Sequence, residues 1–222
     1  MKNKGRLGVG IVVYITLLAS IVFSIVKIIT SSSVPDGTDT HIRSDYVLML
    51  LQCILGIVVL GVPAFLEKRF SFEMPNIMAI AYFVFLYCAI YLGEVKQFYY
   101  LIPHWDDILH CFSAGMLGAF GFSLVDILNK SEKIKMNLNP YFVSLFAFCF
   151  ALSIGALWEI YEFSGDALFG LNMQKYRLSD GSLLEGNMAL ADTMYDIIID
   201  TIGAFTVSAA GLLGKKIENI KK

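Results

Sequence analysis

Six acidic side chains and one histidine stand in or beside the last three long apolar runs of this 222-residue chain, the surroundings that tolerate them least. They are Asp107 and His110, Glu159 and Glu162, and Asp196 and Asp200, with Asp192 just outside the third run. An ionisable group in hydrocarbon costs at least ~2.5 kcal/mol on insertion scales, which makes the set a functional-site candidate. Carboxylates gathered in a low dielectric cannot all stay ionised, so protons or cations must share the site. Several carboxylates with one imidazole suit a divalent ion such as Mg²⁺, Mn²⁺ or Zn²⁺. Such an ion polarises a phosphoryl or carbonyl oxygen and activates water, with a remaining carboxylate as general base. On that chemistry the expected metal ligands are Asp107, His110, Glu159, Glu162 and Asp196. The expected catalytic groups are Glu159, Glu162 and His110, with Asp192 and Asp200 as secondary members.

Spacing puts each set on one helix face: i, i+3 for Asp107 with His110 and for Glu159 with Glu162, and i, i+4, i+8 for Asp192, Asp196 and Asp200. At 1.5 Å per residue His110 lies roughly 6 Å from the start of its run at Asp106, Glu159 roughly 9 Å from the end of its run at Gly165, and Asp196 roughly 6 Å from Asp192. The three therefore meet at one level, near the outer surface. Asp192 and Asp200 are about 12 Å apart along the axis, too far to share one ion, which makes Asp196 the central choice on that helix. Some members have structural alternatives. Asp106 and Asp107 can cap the amino end of their run, Asp192 can be an N-cap, and Trp158 packs or anchors. Glu159 and Glu162, at a helix carboxyl end where anions are disfavoured, have the poorest structural explanation.

The elements that carry these groups are read from hydropathy. With 57% hydrophobic and 16% charged residues, the chain is far more apolar than a soluble domain. Apolar runs of the length that crosses a bilayer fall at 7-29, 46-66, 76-93, 107-128, 141-164 and 193-214. The expected fold is all-α and polytopic, one integral membrane domain over 1-222 with six transmembrane helices. Twelve of the 17 lysines and arginines fall in segments on the amino-terminal side of the membrane, so both termini are expected to be cytoplasmic. The run behind MKNKGR is longer than a signal h-region and is expected to persist as the first span. No basic stripe with interleaved aromatics exists to track phosphates, and nucleic acid is not an expected partner.

Cys53, Cys88, Cys111 and Cys149 all lie inside predicted spans without a C-x-x-C spacing, and read as small buried apolar residues. Pro75 precedes the third run and Asn139-Pro140 opens the fifth as cap and first turn. Gly115, Gly118 and Gly121 with Ala114 and Ala119, and Gly203, Gly211 and Gly214, predict close helix packing in the fourth and sixth spans. The 165-191 segment reads either as an interfacial lid or as an ordinary connection. Tyr99, Tyr100 and Trp105 read as interfacial anchors. His41 and His104 read as solvated loop residues, and Asp126 and Asn129 as boundary residues.

Three blocks carry a family resemblance: WDDILHCFSAG at 105-115, WEIYEF at 158-163 and ADTMYDIIIDTIGA at 191-204. Their D-x-x-H, E-x-x-E and D-x-x-x-D…G-A patterns resemble an uncharacterised bacterial multi-pass family typified by the inner-membrane protein YjdF. More distantly they are similar to the VanZ-like proteins associated with glycopeptide resistance. The resemblance covers 104-214 and implies roles for Asp107, His110, Glu159, Glu162, Asp192, Asp196 and Gly203. Where VanZ-like proteins tend to show Gln and Asn, this chain has Glu162 and Asp200.

The expectation is a multi-pass protein of the bacterial cytoplasmic membrane with an outward-facing Asp/Glu/His pocket, a metal-assisted enzyme acting on envelope lipids or a lipid-linked substrate. Membrane lipids are its expected partners, and no oligomeric state is indicated. The first rival is a cation- or proton-coupled transporter, against which stand a site near one surface, the absence of inverted repeats and few broken helices. The second is a membrane scaffold whose acids meet a partner's lysines, since few basic residues of the chain face them.

Overall fold

Hydrocarbon leaves backbone groups no solvent partner, so apolar runs of this length satisfy their own hydrogen bonds as helices. The computed structural model describes residues 4–31, 42–70, 73–130, 138–178 and 181–220. His41 lies outside the described residues, and so do the side chains of Asp126 and Asn129. The helices are α1 Lys4–Thr30, α2 Arg43–Leu60, α3 Val62–Phe70, α4 Asn76–Leu86, a π-helical segment Tyr87–Val95, α5 Phe98–Leu101, α6 Trp105–Lys130, α7 Pro140–Phe169 and α8 Asn187–Ile220. With α2 joined to α3 and α4 to the π-helical segment, six are long and apolar enough to cross a membrane, one for each expected run. Among the described residues the only bridge between extended segments pairs Arg177 with Leu183. The chain is an all-α polytopic membrane protein.

Helix ends are set by local chemistry. Asn139 Oδ1 accepts a hydrogen bond of 2.9 Å from the Tyr141 N–H, and Pro140 starts α7 where its missing N–H does no harm. At the other end α7 runs past the apolar stretch to Phe169 and stops at Gly170, whose φ of +62° is left-handed. α8 likewise begins at Asn187, behind Gly186 with φ +58°, and so ahead of the apolar run. Polar residues such as Ser164 and Asp166 do not break a helix; the glycines do. Asp192 is therefore inside α8 and is not its N-cap. Two spans are interrupted. Gly61 separates α2 from α3, and in the π-helical segment the helix widens so that the Lys96 N–H reaches Tyr91 O at 2.9 Å.

The residues group into two compact units, Met1–Asp106 with Tyr161–Asp192, and Asp107–Ile160 with Thr193–Lys222. In the first, Val13, Leu17, Tyr46, Met49, Cys53, Phe83, Leu86 and Ile90 form the core. Arg6 closes a two-pronged ion pair on Glu67 at 2.7 and 3.1 Å, and the same carboxylate accepts the Met74 N–H at 3.1 Å. In the second unit small residues set the helix spacing. A Cβ on Gly203 would lie 2.5 Å from the Cys111 carbonyl oxygen, and one on Gly121 2.9 Å from Ala147 Cα. α8 and α7 thus approach α6 backbone to backbone. Gly214 has nothing within 4 Å and takes no part in this packing. All four cysteines are free thiols, and Cys111 and Cys149 are exposed, so the expectation of burial fails for these two.

Candidate functional site

Each of the three helices of the second unit contributes to one polar group. α6 brings His110, α7 brings Glu159, and α8 brings Asp196 and Asp200 one turn apart. His110 Nε2 lies 3.8 Å from Glu159 Oε1 and 4.0 Å from Asp196 Oδ1, while its Nδ1 lies 3.3 Å from Asp200 Oδ1. The two ring nitrogens thus face different carboxylates. An Nδ1–H donating to Asp200 fixes the tautomer that leaves Nε2 as a ligand, the carboxylate–histidine arrangement common behind bound metals. Nε2 is then left facing Glu159 and Asp196. Asp106, one turn before His110 on the unbroken helix α6, completes a second grouping. Ligand atoms of Asp106, His110 and Asp196 lie within 4.8 Å of one another. The cluster is able to coordinate a divalent cation.

The expectation of an outward-facing pocket for lipid headgroups is overturned by burial. His110 is 7% exposed, Glu159 5%, Asp196 5% and Asp200 1%. The cluster is internal, and the longer helices explain why. Counted from the true ends of α7 and α8, Glu159 is about 15 Å and Asp196 about 14 Å inside, roughly a turn or more deeper than the hydropathy runs implied.

Asp200 is held by an absence of side chain. A Cβ on Gly155 of α7 would fall well inside contact distance of Asp200 Oδ2, so glycine is what lets the carboxylate stand there. Oδ2 itself is buried and has no hydrogen-bond partner among the described residues. A buried carboxylate oxygen in that state invites a cation.

The family now enters. The model described as "Predicted membrane protein (DUF2238)" matches residues 10–216, a stretch that includes every residue of the cluster. The chain belongs to this family. A relative in Thermotoga maritima, described as "Uncharacterized protein", is 31% identical over 148 residues, covering 66% of this chain and 67% of that one. No solved structure matches. With six membrane-crossing helices and a bacterial relative, the DUF2238 chain is a multi-pass protein of the bacterial cytoplasmic membrane, in contact with lipid through its apolar helix faces.

The remaining sequence-derived residues are distributed differently. Asp107 is half-buried in the first turn of α6, where the helix amino end favours an anion. Asp192 and Glu162 both belong to the first unit. There Glu162 acts on Lys175, a residue read from the sequence only as a loop charge. Lys175 Nζ lies 2.8 Å from buried Glu94 and within 5.0 Å and 5.5 Å of the Tyr99 and Tyr100 ring centres. Burial alone would push the Lys175 ammonium down, but Glu94, Tyr100 and Glu162 together hold its pKa above the ordinary lysine value. Its favourable contribution is present below that ordinary value, about 10.4, and is lost only as pH rises through the raised one. Of the site acids read from the sequence, Glu162 thus has a basic residue of the chain acting with it.

The loop residues 172–177 are tied down by hydrogen bonds and an ion pair. Asp166 accepts the Met173 and Gln174 N–H groups at 2.7 and 3.0 Å. Asn172 donates to the Tyr100 hydroxyl at 2.8 Å, and Arg177 pairs with Asp45. Tyr99 and Tyr100 thus also pack against this loop, through Lys175 and Asn172. Replacing Lys175 by methionine leaves Glu94 buried without its ammonium, and is expected to lower stability by about 3–5 kcal/mol. Thermal unfolding in detergent reads this, and adding Glu94→Gln should restore most of the loss. Equal melting of wild type and Lys175→Met would show that the pair does not hold the loop.

Proposed function

We propose that this chain is a cation- and proton-coupled membrane transporter, carrying a divalent cation in exchange for protons at the site built on His110. The observation that carries the reading is one imidazole between three buried carboxylates of membrane-crossing helices. Imidazole with carboxylates suits Mn²⁺ or Zn²⁺ better than a hard all-oxygen ion. Asp106, Asp196 and the Nε2 of His110 hold the cation, Glu159 stands 3.8 Å from the same nitrogen, and Asp200 orients the ring. When the cation leaves, carboxylates this close in a low dielectric take up protons, so the two occupants exclude one another. Mutual exclusion at a single buried site is the physical basis of exchange.

The two interrupted spans, at Gly61 and over the π-helical segment, belong to the first unit, whereas α6, α7 and α8, which carry the site, run unbroken. The bias of lysine and arginine supports cytoplasmic termini for the transporter. The test is reconstitution into liposomes carrying a trapped pH dye. Mn²⁺ uptake above that of protein-free vesicles, with proton efflux that stops when Mn²⁺ is withheld, is expected. Mn²⁺ entry equal to that of empty liposomes would contradict the proposal.

A further inference from the structure

Along the second unit the polar cluster is the first of three tiers. On α8, Asp196, Asp200, Ala204 and Ser208 follow at four-residue steps and all four are buried. On α7, Glu159, Gly155 and Ala151 step the same way in reverse, and Ser144 lies two turns further on. On α6 the series is His110, Ala114 and Gly118. Four-residue steps keep side chains on one helix face. Ala114, Ala151 and Ala204 meet as a packed cluster of their own, and each four-residue step advances about 6 Å.

The third tier is polar again. Ser144 Oγ donates to the Ser208 carbonyl at 2.8 Å. Ser208 Oγ is buried, in a residue 2% exposed, and has no hydrogen-bond partner among the described residues. It lies beside Gly118 of α6, where a Cβ would stand 3.7 Å from it and equally close to Val207. Neighbouring hydroxyls behave otherwise. Thr201 and Thr206 each donate to the carbonyl four residues back at 2.7 Å, which is how a hydroxyl is ordinarily satisfied inside a membrane helix. A buried hydroxyl without a partner is unfavourable, and it offers one donor and two acceptor positions.

Resting on the transporter reading, we propose that Ser144 and Ser208 form a second, neutral station for the transported cation, separated from the charged site by the alanine tier. Hydroxyl and carbonyl oxygens hold a cation weakly, which suits a place the ion must leave, whereas the carboxylate site selects and holds it. The alanine tier is closed by three methyl groups with Leu117 and Phe148 packed against them, so Leu117 and Phe148 must shift for an ion to pass.

The test uses the full chain in liposomes and Mn²⁺ as probe, with Ser208→Ala and Ser144→Ala as separate variants. Alanine removes the hydroxyl without adding bulk, and Ser208→Ala also removes an unsatisfied group, so its melting temperature in detergent is expected to hold or rise. Equilibrium Mn²⁺ binding is expected to match wild type, while the initial transport rate falls about tenfold, the worth of one hydrogen bond. Wild-type transport with both variants at the wild-type rate would overturn the second station alone. Lost binding in both variants would also overturn it, by showing the serines belong to the first site. A wild type that neither binds nor transports Mn²⁺ would remove the transporter reading and the station with it.

Discussion

Replacing Asp196 by asparagine is expected to reduce Mn²⁺ affinity of the detergent-purified protein by a factor of roughly thirty to several thousand. The range corresponds to the ~2–5 kcal/mol that truncating one partner of a buried, hydrogen-bonded charge pair removes. Asp196 is the member of the cluster that stands at once 4.0 Å from His110 Nε2 and within the Asp106–His110–Asp196 grouping, so its charge is shared by both arrangements of ligands. Asparagine keeps the volume and the helix, and the change in affinity therefore reports charge. Equilibrium dialysis with Mn²⁺ measures it, and transport in liposomes should fall in parallel. Unchanged affinity in Asp196→Asn would mean that the ion, if bound, sits elsewhere.

The second large effect comes from a residue with no chemistry of its own. Gly155→Ala places a methyl where Asp200 Oδ2 stands, so the carboxylate must swing away from His110 or the helices must part. Losing an outer carboxylate that orients a histidine ligand typically reduces metal affinity 10–100-fold, and about that loss is expected here. Asp200→Asn is expected to have an effect of similar size. The double variant should be little worse than either single one, since both act through one contact. Additive losses would separate the two residues and show that Gly155 serves packing alone. The same design reads stability, because Gly155→Ala strains α7 against α8 whereas Asp200→Asn does not.

Much of this was legible without coordinates, for stated physical reasons. A helix in hydrocarbon has to be apolar along its length, so six runs correspond to six helices. His110, Glu159 and Asp196 were legible as a group because charges at matched depths on three helices need one another. The ends of α7 and α8 were not, since Gly170 and Gly186 stop the helices well beyond the apolar stretches, and this displaced the estimated depth of the site. Asp200 ranked below Asp196 because one ion cannot span α8 from Asp192 to Asp200. The structure removes that restriction by giving each ring nitrogen of His110 its own carboxylate.

Glu162 paired with Glu159 in sequence but not in role. Three residues of α-helix leave a side chain rotated by roughly a sixth of a turn, enough to group it with Lys175 of the first unit. The Lys175 to Glu94 pairing joins positions 81 residues apart, and no local pattern announces it. Gly155 is silent for a simpler reason: a glycine that makes room for a carboxylate looks in sequence like any glycine of a membrane helix.

The central claim is that a divalent cation binds directly to His110 inside the second unit, and X-ray absorption on Zn²⁺-loaded protein tests it most directly. The expected first shell holds one imidazole nitrogen at about 2.0–2.1 Å with carboxylate oxygens at about 2.0–2.2 Å, and the imidazole signal disappears in His110→Ala. A shell of oxygens alone, or one unchanged by His110→Ala, would contradict it.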